Sequence, residues 1–154
     1  MPTRLPLLQL PLLLLAWAAT RLSAVPPDFD FTQAPDAMGW SPTHDVGWGA
    51  PDERGLGVAL AGPDPYLTSP LLEMPRSGNV LVELRIRSES GGHGQLFWFE
   101  EAADEARSVH FPCRSNAWTD VCVAIPNPGR SARIRFDPPG ARGEAQLAWL
   151  RASP

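Results

Sequence analysis

From residue 29 onward the apolar positions recur every second residue, the period of a strand that buries one face. Val80, Val82, Leu84 and Ile86 alternate with Leu81, Glu83, Arg85 and Arg87, which sets four aliphatic side chains on one face and mostly charged ones on the other. The same alternation runs through Ala132, Ile134 and Phe136, through Val121, Val123 and Ile125, and through Leu56, Val58 and Leu60. Weaker strands are expected at 29–32, 67–73, 95–100, 108–111 and 144–151. Only 100–107 suits a helical turn, and 33–54 shows no clear period, which marks it as the longest irregular stretch.

The segments between these strands carry turn chemistry. Gly62-Pro63-Asp64-Pro65, Ser90-Gly91-Gly92-His93-Gly94, Pro126-Asn127-Pro128-Gly129 and Asp137-Pro138-Pro139-Gly140 combine a fixed φ or a permissive Gly with Asn, Asp or Ser. With 18 Pro and 13 Gly in 154 residues, long helices are excluded. Eight or nine strands at this spacing predict an all-β fold, a two-sheet antiparallel jelly-roll-like β-sandwich.

The start of the chain follows another logic. Met1 to Arg4 are basic, Leu5 to Ala19 form an apolar run, and small residues follow, the tripartite pattern of a secretory signal peptide. The expected signal is 1–24, with cleavage after Ala18 as the alternative, leaving 25–154 as a single sandwich domain that is secreted or periplasmic. No later apolar run is long enough for a transmembrane segment in the mature chain.

A net charge of −4 excludes a nucleic-acid binder held by a general positive field. In an oxidising compartment the lone pair Cys113 and Cys122 is expected to form a disulfide, although Cys122 falls on the outward phase of its strand and Cys113 on the inward phase of its own.

Catalytic chemistry is thinly represented, so no enzyme and no cofactor are expected. His44-Asp45 and the acidic run Glu100, Glu101, Asp104 read as solvated loop residues. The D-x-D of Asp28 and Asp30, joined by Glu144, is the only oxygen cage suggested for calcium, and no metal site is assigned to it.

Aromatic and guanidinium groups offer more. Trp48 lies between glycines, Trp118 at a strand entrance, and Trp98 within Phe97-Trp98-Phe99, where it points outward if its neighbours point in. Flat indoles suit the apolar faces of pyranose rings; otherwise the same rings plug the core of a small β domain. Arg85, Arg87, Arg133 and Arg135 would share one sheet face and bias it towards acidic glycans, or else form a solvated face with scattered ion pairs.

The segments 64–70, 80–88, 94–99 and 133–140, within a span from Leu56 to Arg151, resemble β-sandwich domains of the carbohydrate-binding-module or lectin-like kind found in bacterial exported and envelope proteins. The resemblance implies a non-catalytic module that binds a glycan on a concave sheet face or at loop tips. The alternative is a structural or interaction domain whose partner is an envelope protein.

Overall fold

The computed structural model describes residues 28–33, 38–75 and 78–154, so the expected signal segment 1–24 lies outside the described residues. The described residues form twelve strands: β1 (Asp28–Asp30), β2 (Ser41–His44), β3 (Val46–Asp52), β4 (Gly55–Leu60), β5 (Tyr66–Thr68), β6 (Leu72–Glu73), β7 (Val80–Ser88), β8 (Gly92–Phe99), β9 (Ser108–Cys113), β10 (Trp118–Ile125), β11 (Ser131–Asp137) and β12 (Gly143–Ser153). A 3-10 turn at Glu105–Arg107 is capped by the Asp104 carboxylate, which accepts from the Ala106 amide.

The strands assemble into two antiparallel sheets. Sheet A runs β10-β7-β12-β4-β3, and β1 also pairs with β12; sheet B runs β2-β5-β11-β8-β9, and β6 also pairs with β11. The two sheets close on one core: the predicted inward positions Val80, Val82, Leu84, Ile86, Ile134, Phe136, Leu56 and Val58 are all buried. Burying each such aliphatic side chain contributes about 1.5–3 kcal/mol. Phe111 stacks on Phe136 at 6.0 Å, and Trp40 meets Phe29 and Phe31 edge-on at 5.5 Å each.

The stretch 33–54, expected to be irregular, contains β2 and β3. Both are edge strands, as is β9, and the three carry Pro42, Pro51 and Pro112. An edge strand tolerates a residue without a ladder N–H, so proline there weakens the sequence signal without abolishing the strand.

The expected Cys113–Cys122 disulfide is not formed; both cysteines are free. β9 and β10 belong to opposite sheets. Cys113 is buried towards the core and Cys122 is exposed on sheet A opposite Glu83, so each keeps the phase of its own strand.

Candidate functional site

The outer face of sheet A carries two half-exposed indoles, Trp118 and Trp149. Its construction begins at Ser88, a buried hydroxyl at the end of β7. Ser88 Oγ donates to the Pro139 carbonyl at 3.0 Å and accepts from the Gly91 amide at 3.3 Å, while the Ser88 carbonyl accepts from the Asn116 amide at 2.7 Å. Three loops are thus tied to one residue. Asn116 adopts φ 55°, in the left-handed region where Asn is among the few tolerated side chains. The chain then enters β10 at Trp118.

Trp118 lies directly opposite Arg87 on β7, and Arg87 lies opposite Gln146 on β12. The neighbouring row on this face is Asp120, Arg85, Trp149 and Asp30. Trp118 and Trp149 therefore sit two strands apart with a two-residue stagger, roughly 12 Å between their Cα atoms from standard strand spacing and rise. Both are half-buried. The Arg85 guanidinium lies 5.7 Å from the Trp118 ring centre and that of Arg151 lies 4.9 Å from Trp149, each within cation–π range.

Most cations of this face already have acids. Arg85 reaches Asp120 at 3.5 Å, Arg151 reaches Asp28 at 3.0 Å, and Arg54 reaches Asp52 at 2.8 Å. Asp52 organises the β3–β4 turn: its Oδ1 accepts from the Arg54 amide (2.8 Å), the Gly55 amide (3.2 Å) and Gln146 Nε2 (3.1 Å). The Arg54 side-chain bond holds the Asp52 carboxyl below the ordinary aspartate range, and a bond from Thr32 does the same for Asp30. Gly55 (φ 142°) lets this turn press on β12, since a Cβ there would lie 2.0 Å from the Leu147 carbonyl oxygen.

β12 is shared. β4 pairs with Gly143–Leu147 and β1 with Trp149–Arg151, with a bulge between them. At that break a depression of about 500 Å³ opens, walled by Asp28, Asp30 and Thr32 and by Glu53 and Arg54, with Trp149 in its lining.

Arg133 and Arg135 do not join Arg85 and Arg87. The two pairs lie on opposite sheets, because alternation within a strand assigns a face but not a sheet. Arg135 is held between Tyr66 (3.7 Å) and Phe97 (4.8 Å), with two bonds to Asp137 (2.7 and 2.6 Å) and one to Asp64 (2.7 Å). Burial pushes the Asp137 carboxyl up while Arg135 opposes the shift. Arg133 donates to the Ser69 carbonyl at 3.1 Å. These two arginines tie β11 to its neighbours.

Trp98 points inward and is 7% exposed, the reverse of the outward phase considered above. Phe97 takes the outward position, and its apolar face is covered by Arg135. Trp48 packs against the core from the edge strand, and its indole Nε1 is buried without a hydrogen-bond partner. Trp98 is closed by burial, and Trp48 is committed to the core side of sheet A, opposite Val58.

The remaining candidates are accounted for locally. His44 stacks on Tyr66 at 5.5 Å with its Nδ1 2.9 Å from the Asp64 carbonyl oxygen. Asp28 is paired with Arg151, Asp30 is bonded to Thr32, and Glu144 sits opposite Ala59, away from both. Among the described residues no group of three or more His, Cys, Asp or Glu is placed to hold a metal ion. Likewise, no helix there is long and apolar enough to cross a membrane.

Sequence reasoning missed Trp149, Gln146 and Asp52. The bulge in β12 breaks the period-two pattern between Gln146 and Trp149, which hides their common face.

No protein-family model and no curated protein sequence matches the chain. Solved structures do. The family 6 carbohydrate-binding module of Cellvibrio mixtus lichenase 5A, determined with cellotriose, aligns at TM-score 0.57 and 18% identity over 83% of this chain and 96% of that one. A family 6 module from Clostridium cellulolyticum with xylose gives 0.60 and 13% over 83% and 97%. A family 36 module with calcium and xylotriose gives 0.53 and 14% over 82% and 99%. At these identities the likeness establishes the fold, and the chain has the jelly-roll β-sandwich of carbohydrate-binding modules.

Proposed function

We propose that the protein is an exported, non-catalytic glycan-binding module whose contact surface is the outer face of sheet A. The observation that carries this reading is the row Trp118–Arg87–Gln146 with Trp149 diagonal to it: two half-exposed indoles separated by hydrogen-bonding side chains on one rigid sheet. An indole face receives the C–H face of a sugar ring, while guanidinium and amide groups donate to its hydroxyls. The neighbours solved with cellotriose, xylose and xylotriose support the glycan class.

Arg85, Arg87, Trp118 and Trp149 act as ligand contacts in this reading, and Gln146, buried and bonded to Asp52, forms the floor between them. Arg133, Arg135, Trp48 and Trp98 serve the fold. An envelope-protein partner is the weaker reading, because the large exposed hydrophobics among the described residues are Leu71 and Leu81, two isolated side chains and not a contiguous apolar patch.

A glycan array probed with the chain lacking residues 1–24 tests the proposal. Binding to a defined group of oligosaccharides supports it. Uniform absence of binding by a folded sample rejects it.

A further inference from the structure

We infer that the ligand of the sheet A face is an acidic glycan, one whose sugar ring carries a carboxylate, and that Arg87 is the residue that grips it. This rests on the glycan-binding reading above and names the class of sugar. Arg87 stands out among the cations of that face. Arg85, Arg151 and Arg54 each have a carboxylate within 3.5 Å, whereas Arg87 has no carboxylate partner among the described residues. Its contacts are two long ones to Asn116, from Nε to the carbonyl and from Nη2 to Oδ1, both at 3.4 Å.

Position adds to this. Arg87 is half-buried in the middle of the row, with Trp118 on one side and Gln146 on the other. A ring stacked on Trp118 would bring a ring substituent over β7, where the planar guanidinium fork matches a carboxylate through two parallel bonds. Asn116 would surrender little, since contacts of 3.4 Å are at the weak limit of hydrogen bonding.

The nearby acids do not fill this role. Asp120 is paired with Arg85. Asp52 is bound by Arg54 and Gln146. Glu89 accepts from the Glu144 amide at 3.0 Å. Glu144 itself projects on β12 two residues before Gln146, opposite Ala59 and not Arg87.

The test is calorimetric titration with trisaccharides of galacturonate, glucuronate and mannuronate, with their neutral methyl esters, and with xylotriose. An acidic trisaccharide is expected to bind about tenfold or more tightly than its own methyl ester, an advantage that shrinks as salt is added. Arg87→Gln should remove that advantage, lowering affinity for the acid by more than for the ester until the two bind alike, with an unchanged melting temperature. Arg87→Lys should restore only part of it. Equal binding of acid and ester, or preference for xylotriose, with loss on Trp118→Ala, overturns the acidic assignment and keeps the glycan reading. No binding of any sugar by the folded protein overturns both.

Discussion

Gln146 Nε2 donates to Asp52 Oδ1 across 3.1 Å, joining the central strand of sheet A to the β3–β4 turn. The bond fixes a buried residue beneath the binding row from a turn that is itself closed by the same carboxylate. Asp52→Ala should therefore lower the melting temperature and weaken glycan affinity together. Asp52→Asn, which keeps an acceptor, should retain more of both.

The same carboxylate fixes a pH dependence. Its folded-state pKa lies below the ordinary range, so at acid pH the unfolded chain binds the proton more readily than the folded one. The stabilisation is present above the ordinary aspartate pKa and is lost as pH falls through the lowered folded value; Asp30 has the same sign. Carboxyl titration by NMR should show both groups titrating below ordinary aspartates. The acid limb of stability should flatten in Asp52→Asn.

Cys113 and Cys122 predict two free thiols of unequal reach. A thiol reagent added to the native protein should label Cys122 alone, and Cys113 only on unfolding. A cross-linked peptide carrying both residues in the native protein would contradict the outward placement of Cys122 on β10, since Cys113 faces the core.

Arg135 and Arg87 should separate fold from function. Removing Arg135 leaves Asp137 half-buried without its bidentate partner and opens the space between Tyr66 and Phe97, so Arg135→Ala is expected to cost about 2 kcal/mol of stability. Arg87→Gln should leave the melt unchanged. Denaturant unfolding of both variants checks the contrast.

Gly55 is the position where the β3–β4 turn presses on β12. A methyl group there would lie against the Leu147 carbonyl at a positive φ, and Gly55→Ala is expected to cost about 1–3 kcal/mol. Because the turn carries Asp52, the variant should also lose affinity at temperatures where it remains folded.

The sandwich was legible because its central strands are amphipathic. Val80–Ser88 and Ser131–Asp137 each expose charges on alternate residues, and hydrophobic burial enforces that register. β2 and β3 were hidden by Pro42, Pro51 and the glycines around Trp48, which erase alternation without preventing edge pairing. The phase of Trp98 was illegible for another reason: Phe97 is apolar yet outward, its ring shielded by an arginine from a neighbouring strand. Of the site, Trp118, Arg85 and Arg87 could be named from local pattern. Their separation from Arg133 and Arg135 depends on which sheet each strand joins, information that pairwise alternation does not contain. Trp149 and Gln146 required the bulge in β12 to be seen.

The central claim is that Trp118 and Trp149 are ligand platforms and not packing residues. It is tested most directly by measuring oligosaccharide affinity and thermal melting on the same Trp118→Ala and Trp149→Ala proteins. The account predicts a loss of affinity of roughly tenfold or more in each, with melting temperatures close to that of the parent. Melts lowered as for a core tryptophan, a cost of about 3–5 kcal/mol, with glycan affinity unchanged in the folded fraction, would contradict it.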